Sequence, residues 1–287
     1  MALPLNPAQR ALESMIDRLH RRGRLRVGSL VITMFGDAVV PRGGRVALGV
    51  LQDVMGRLRV EPGALRTAMS RLASDGWVIR EREGRNAYYR LAEEGRHAFD
   101  RATRRIYAGG PPVWNGAWTV AIAPPDDADG VLTDAVGLGF VRVNGNVYLR
   151  PETEGVPEIG EALSGALIVH GSSAEHPEAF HLLWPSREIG NAYRMLITDV
   201  AALGTAIEGC DGLGGLDAMA ARILLIHDWR RIVLRDPGLP SQLLPADWPG
   251  EEARAMVRRI HAGLSPASEA WLDAAGVPQR AKSHGFS

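Results

Sequence analysis

Residues 62–91 read PGALRTAMSRLASDGWVIREREGRNAYYRL, which predicts a helix followed by a β-hairpin. Pro62 suits the first helical position, because its missing N–H would be unpaired there, and Gly76 suits the left-handed residue after the last turn. At about 100° per residue, the apolar side chains share one face. They are Leu65, Met69 and Leu72. We expect the helix to pack through this face and to expose the opposite one.

The opposite half of this helix is polar, short-chained and basic. Its members are Arg66, Thr67, Ser70, Arg71 and Ser74. Such a helix fits the major groove of DNA, where Arg can bond guanine in a bidentate way and Ser or Thr can reach base edges or phosphates. An amphipathic helix with a purely structural role would share this pattern, and it is the alternative interpretation.

The hairpin carries arginine along its length and at its tip. Apolar residues alternate with polar ones, which predicts that one face of the hairpin is buried. The apolar residues are Trp77, Ile79, Tyr89 and Leu91, and Arg80 and Arg82 alternate with the first two. Gly84 and Arg85 predict the turn. We expect Arg82 and Arg85 to lie on the DNA backbone.

The two parts of the chain have opposite charge. Residues 1–107 hold 20 Arg against 11 Asp and Glu, a net charge of +9. Residues 108–287 hold 13 Arg and Lys against 22 Asp and Glu, a net charge of −9. Because neutralisation of phosphates supplies most sequence-independent affinity for DNA, this division indicates a DNA-binding region joined to an acidic regulatory region.

The composition argues against several classes of protein. Cys210 is the only cysteine, so no internal disulfide can form, and no Cys/His cluster has the spacing of zinc ligands. The N-terminus lacks the apolar stretch of a signal peptide, and no run approaches the roughly 18 residues that predict a membrane span. We expect a cytoplasmic protein with no metal, no cofactor and no membrane partner.

The predicted elements indicate an α+β protein of three consecutive domains. Residues 1–108 are expected to form a winged helix-turn-helix DNA-binding domain with an additional N-terminal helix. Residues 113–184 are expected to form a ferredoxin-like domain, and residues 185–287 a helical domain for effector binding and dimerisation. Gly and Pro residues at 109–112 predict the first boundary.

Periodicity and breakers place the individual elements. Helices are predicted at 7–21, 27–35, 45–58, 93–107, 126–137, 158–163, 185–207, 216–234 and 251–262. Strands of the central βαββαβ unit are predicted at 118–123, 140–143, 147–149 and 166–170. The helix at 45–58 would turn Val46, Val50, Leu51 and Val54 towards the core.

Four stretches carry a resemblance to a known family. They are SLVITMFGDAVVPRGG at 29–44, LRTAMSRLASDGWV with GRNAYYRL within 65–91, WNGAWTV at 114–120, and LLIHDWRRIVLRDPGLPSQLLPADWPG at 224–250. Together they resemble the PaaX-like transcriptional regulators, the repressors of phenylacetate degradation. The resemblance implies a winged N-terminal domain, a central ferredoxin-like domain and a helical C-terminal domain.

The resemblance also implies a function. It implies a homodimeric repressor that phenylacetyl-coenzyme A, or a related acyl-coenzyme A, releases from double-stranded operator DNA. By motif position, the residues that read bases or position the protein on the DNA backbone would be Arg66, Thr67, Ser70 and Arg71. Arg82 and Arg85 would lie on the wing.

A second candidate site lies in the C-terminal part. His227, Arg230 and Arg231 are three and four positions apart, so they are predicted to share a helix face. Such a face could hold the phosphates of a coenzyme A ester. A structural network between domains is the alternative. Catalysis is disfavoured, because no nucleophile lies at motif spacing.

The rival function is a metal-dependent nuclease acting through the central domain. Asp126 and Asp127 follow the first predicted strand, where related folds place metal-binding carboxylates. The same pair suits a helix N-cap, where carboxylates satisfy free N–H groups. We favour the N-cap interpretation and expect no catalytic residues.

Overall fold

A computed structural model describes residues 4–23, 25–125, 138–154, 156, 158–163, 165–172, 175, 177–183, 187–209 and 212–277. The helices are α1 (Pro7–Arg21), α2 (Val27–Met34), α3 (Leu48–Arg57), α4 (Pro62–Ser74), α5 (Glu93–Ile106), α6 (Phe180–Leu183), α7 (Arg187–Glu208), α8 (Gly215–Val233) and α9 (Gly250–Ala274). The strands are β1 (Arg45–Ala47), β2 (Val78–Glu83), β3 (Asn86–Leu91), β4 (Trp114–Ile122), β5 (Val141–Asn144), β6 (Val147–Thr153) and β7 (Leu167–Ser172). The α+β class is confirmed.

The chain divides into two compact units. Unit 1 comprises Met1–Ala108, Met195–Arg230 and Glu252–Ser287, and unit 2 comprises Gly109–Arg194 and Arg231–Glu251. Unit 1 therefore joins the first 108 residues to much of α7, α8 and α9. The predicted division into three consecutive domains stays a prediction.

The segment from α2 to α3 differs from the prediction at two places. A π-helical turn, Phe35–Val39, follows α2 directly, and a short strand, β1, precedes α3 where a continuous helix was expected. β1 forms because Arg45, Val46 and Ala47 pair with β3 at the edge of a three-stranded sheet of order β1-β3-β2. The predicted core residues, Val46, Val50, Leu51 and Val54, are all buried.

A tight turn joins α3 to α4. Arg59 adopts a left-handed conformation (φ 59°), and the N–H of Val60 donates to the carbonyl of Met55 at 2.9 Å. Left-handed backbone is costly for a residue with a side chain. The bond from Val60 to Met55 is typical of a helix C-terminal cap, in which the residue just past the helix is left-handed. The guanidinium of Arg59 also pairs with Glu13 and Asp17 on α1.

The predicted helix and hairpin are confirmed. α4 begins at Pro62 and ends before Gly76 (φ 71°), and it buries Leu65, Met69 and Leu72. β2 and β3 pair in register from Val78 opposite Leu91 to Glu83 opposite Asn86. The turn is Gly84 and Arg85, and Gly84 supplies the positive φ that a two-residue hairpin turn requires.

One detail of the hairpin prediction was wrong. Ile79 was expected to face the core, but it is 39% exposed, whereas Val78 is buried. Pairing sets Val78 opposite Leu91 and Ile79 opposite Arg90, and directly opposed residues lie on the same face of a sheet. The buried face is therefore the one that carries Val78, Tyr89 and Leu91.

Unit 2 contains a four-stranded antiparallel sheet. Its order is β5-β6-β4-β7, and all neighbouring pairs are antiparallel. Ala121 of β4 and Tyr148 of β6 form a buried apolar cluster with Phe140. The predicted helix at 126–137 lies outside the described residues, and the predicted helix at 158–163 is a single 3-10 turn, Gly160–Leu163.

The three C-terminal helices were all predicted. α7 and α8 have nearly the predicted bounds, whereas α9 is longer, because the helix continues through Pro266 to Ala274. In the described part of the chain, none of the helices has both the length and the apolar character needed to span a membrane.

Candidate nucleic-acid interface

The polar half of α4 is exposed. Leu65, Met69 and Leu72 are buried, and they fix the rotation of the helix. The residues predicted to contact DNA, Arg66, Thr67, Ser70, Arg71 and Ser74, all lie on the exposed side. α2 packs against α4, and a Cβ on Gly28 would lie 3.9 Å from Leu72. The apolar face thus binds the helix to its unit and leaves the basic side to solvent.

The hairpin continues directly from α4. The N–H of Trp77 donates to the carbonyl of Leu72 at 2.9 Å, so β2 begins one residue after the helix has been capped. Arg80, Arg82 and Arg85 are exposed. Arg82 donates to the carbonyl of Gly84 at 3.3 Å, a contact within the turn itself.

We call the residues of α4 and the hairpin that were predicted to contact DNA, all of which are exposed, the basic face. Its members are Arg66, Thr67, Ser70, Arg71, Ser74, Arg82 and Arg85. Within the described part of the chain, no carboxylate forms an ion pair with its four arginines. Their charges are available to an external anion.

Other arginines of the first hundred residues are used internally. Arg18 and Arg22 pair with Asp199 on α7, and Arg22 also pairs with Asp228 on α8. Arg57 pairs with Asp217 on α8 at 2.5 Å. All these groups belong to unit 1. Part of the opposite charge of the two sequence halves is therefore neutralised inside this unit.

A third set of arginines supports the hairpin. Glu81 on β2 accepts from Arg45 on β1 at 3.1 Å and from Arg90 on β3 at 2.6 Å. The guanidinium of Arg45 also lies 3.8 Å from the ring centre of Tyr88. Hydrogen bonding to Arg90 and Arg45 lowers the pKa of Glu81. This network joins all three strands.

A buried polar cluster lies in the same unit. Asp37, in the π turn, is held by Arg222 at 2.6 Å, by His261 at 3.0 Å and by the Tyr107 hydroxyl at 2.5 Å. Arg222 also donates to the carbonyl of Asp37 at 2.9 Å and pairs with Glu269. We call these five residues the Asp37 cluster.

Ionisation in this cluster follows from its contacts. Burial raises the pKa of the Asp37 carboxyl, but the charges of Arg222 and His261 and the hydrogen bonds outweigh it and hold the pKa well below its usual range. Burial and the neighbouring Asp37 raise the pKa of Tyr107. Asp37 is therefore ionised and Tyr107 neutral near neutral pH.

Arg42 adds further ion pairs between the segment that follows α2 and helix α9. This buried guanidinium pairs with Glu269 and Asp273 on α9 and donates to the carbonyl of Val277. The end of α5 is attached in a similar way, because the indole of Trp229 donates to the carbonyl of Ile106 at 2.8 Å. The π turn, α5, α8 and α9 are therefore linked by hydrogen bonds.

The predicted effector residues occupy different environments. His227 is buried and contacts the Thr33 hydroxyl at 3.2 Å, and Arg230 donates to the same hydroxyl at 3.0 Å. Arg231 is exposed. The structure therefore brings His227 and Arg230 together at Thr33, apart from Arg231. Their role in effector binding stays a prediction.

The residues of the nuclease hypothesis lie outside the described part of the chain, since Asp126 and Asp127 are not among those residues. Across the described ranges, no group of three His, Cys, Asp or Glu side chains is placed to hold a metal.

The Asp37 cluster is not among the sites predicted from the sequence. Its signal was a single charged residue within an apolar stretch, as at Asp37 in VITMFGDAVV and at Arg222 in AMAARILLI. Charged residues are rarely buried unless paired, so each such residue suggests a buried partner. The sequence does not indicate which residues pair.

Comparison with solved structures concerns the fold. An uncharacterised protein from Mycobacterium tuberculosis, Rv0674, superposes with a TM-score of 0.58 and 20% sequence identity. The match covers 84% of this chain and 97% of that protein. The α+β arrangement described above is thus a fold with a known structural counterpart.

Two family models match this chain. Residues 26–95 match the model of the PaaX-like protein, and residues 184–274 match that of the PaaX-like protein C-terminal domain. The transcriptional repressor PaaX of Escherichia coli (strain K12) is 29% identical over 264 residues, which cover 86% of this chain and 83% of the relative. The chain belongs to the PaaX-like family. Three of the four stretches that carried the resemblance, at 29–44, 65–91 and 224–250, lie within the matched residues.

Proposed function

We propose that this protein is a DNA-binding transcriptional repressor of a phenylacetate-type catabolic operon. The observation that carries the proposal is the basic face, an exposed surface of α4 and the hairpin with no internal ion pair to its arginines among the described residues. The similarity to the repressor PaaX supports it. Membership of this family confirms the expectation of a regulator rather than an enzyme.

The order of elements supports a winged helix-turn-helix within unit 1. α3 and α4 are joined by the tight turn at Arg59, and the hairpin follows α4, which is the order of helix, recognition helix and wing. We infer that α4 enters the major groove and that Arg82 and Arg85 contact the neighbouring phosphates. The strand order of unit 2 supports a ferredoxin-like domain in the same way.

The proposed complex includes a homodimer on operator DNA. Two copies related by two-fold symmetry would present their α4 helices to half-sites about one helical turn apart, or a multiple of that distance. We propose an acyl-coenzyme A, such as phenylacetyl-coenzyme A, as the effector that releases the repressor. A protein with this function acts in the cytoplasm. The reported relatives lend no support to the nuclease alternative.

A titration of the full chain with its own promoter DNA tests the proposal. Fluorescence anisotropy at several salt concentrations is expected to show binding that weakens steeply as salt rises, because phosphate contacts release counterions. Addition of phenylacetyl-coenzyme A is expected to reverse binding. The absence of salt-sensitive binding to any promoter fragment would refute the proposal.

A further inference from the structure

A small cavity lies beside the Asp37 cluster in unit 1. Its volume is about 70 Å³, and its walls come from α2, the π turn, α5, α8 and Trp77. Asp37, Tyr107 and Arg230 contribute polar groups to its lining. Trp77 and Phe99 contribute aromatic surface to the same lining, and their rings meet edge to face with centres 6.1 Å apart.

We propose that this cavity binds the aryl-acyl part of the effector. Small-molecule sites are typically apolar and aromatic, with a few polar groups that orient the ligand. Trp77 and Phe99 suit a planar ring, and Arg230 can donate to a carbonyl or carboxylate oxygen. This assignment rests on the proposed function, since it gives the repressor its ligand-binding site.

The size of the cavity requires that a wall moves. A cavity of about 150 Å³ is known to take a benzene ring, so about 70 Å³ is too small for one. Asp37 is fixed by ion pairs with Arg222 and His261. By contrast, no hydrogen bond from a described residue holds the Trp77 indole, whose ring meets Phe99 edge to face and lies beside Gly95. The ring of the ligand therefore displaces Trp77 rather than Asp37.

The backbone of Trp77 is bonded to both elements of the basic face, so a displacement of Trp77 would shift both. Its N–H donates to the carbonyl of Leu72 near the end of α4, and its carbonyl accepts from the N–H of Ala92 just after β3. A Cβ on Gly95 would lie 3.2 Å from that carbonyl, so the backbone there has little room. A ligand that binds the enlarged cavity more tightly shifts the population away from the DNA-binding arrangement.

Calorimetry with the full chain tests the site. The probes are phenylacetic acid, phenylacetyl-coenzyme A and acetyl-coenzyme A. We expect at least one phenyl-bearing probe to bind, and the two together distinguish the free acid from its thioester. If neither binds, or if acetyl-coenzyme A binds as tightly as phenylacetyl-coenzyme A, the assignment of an aryl site is overturned.

A pair of variants locates the site. Ala102→Leu adds bulk to the cavity wall, and Ala201→Leu makes the same change at an exposed position of α7. We expect Ala102→Leu to weaken binding by about tenfold or more, because overfilling a packed site is costly, and Ala201→Leu to leave it unchanged. Unchanged affinity in folded Ala102→Leu protein would overturn the proposal.

A second pair serves if Ala102→Leu fails to fold. Arg230→Gln removes the guanidinium at the cavity, and Arg231→Gln removes the exposed one that follows it. We expect a large loss of affinity only in Arg230→Gln, and equal affinities in the two folded variants would count against the site. DNA binding without ligand is measured in parallel. Ligand binding without DNA binding refutes the repressor function, whereas DNA binding without ligand binding refutes the cavity assignment.

Discussion

The basic face and the Asp37 cluster use the same residue type in opposite ways. Arg66 and Arg71 are exposed and have no ion pair among the described residues, whereas Arg222 is buried and bonded to Asp37 and Glu269. A guanidinium in water can exchange its hydration for a phosphate at little cost, but a buried one requires its partners for the fold. Arginines of the basic face should therefore matter for DNA binding, and Arg222 of the Asp37 cluster should matter for stability.

The largest effect is expected from Asp37→Asn. This change leaves Arg222 and His261 facing a neutral amide in a buried site. Breaking a buried ion pair from one side typically costs about 3 to 5 kcal/mol. Urea unfolding should show this loss, and Asp53→Asn, at an exposed position of α3, should change the free energy of unfolding by less than about 0.5 kcal/mol. Equal stability of the two variants would show that the ion pairs of Asp37 do not stabilise the fold.

Arg71→Ala should have the converse effect. If Arg71 reads guanine, its loss should weaken operator binding by about 1 to 3 kcal/mol and relax base preference, with no change in unfolding. Anisotropy titrations on operator and substituted sequences measure both quantities. Arg259→Ala, an exposed arginine on α9, is the matched control. A loss of stability in Arg71→Ala would show that the two regions are not separate.

The pH dependence of stability should come in part from Asp37. Its pKa in the folded state is held below the unfolded value of about 4, because Arg222 and His261 outweigh the effect of burial. Below about pH 5 the unfolded chain binds more protons, so this contribution to stability is lost as the pH falls towards the folded pKa. The slope per proton is about 1.4 kcal/mol for each pH unit. Wild type should therefore lose more stability than Asp37→Asn between pH 5 and pH 3 in urea unfolding, and parallel curves would contradict this.

The smallest effect is expected on the hairpin. Arg82→Ala should weaken binding to all sequences evenly and reduce the slope of log affinity against log salt by about 1, as for one lost phosphate contact. Arg45→Ala should not lower this slope by the same amount, because Arg45 bonds to Glu81 and supports the hairpin rather than contacting a phosphate. Titration at four or more salt concentrations separates them. A sequence-dependent loss in Arg82→Ala would assign it to base reading instead.

α4 and its hairpin could be predicted because the residues that define them are close together along the chain. Pro62, Gly76 and Gly84 mark the ends and the turn through backbone conformation, and apolar spacing fixes which side of α4 is buried. The prediction failed where pairing partners decide the outcome. Arg45–Ala47 became a strand because β3 lies beside it, and Ile79 faces outward because the register buries Val78.

The sequence by itself determined α4 and its hairpin, the presence of the three C-terminal helices, the division of charge and the family, since each depends on neighbours along the chain or on motifs readable from it. Only the tertiary structure decided which charges meet. Asp37 and Arg222 are 185 residues apart, and their pairing depends on how α8 packs within unit 1. The physical reason is that helical and turn preferences act over a few residues, whereas ion pairing and burial depend on distance in space.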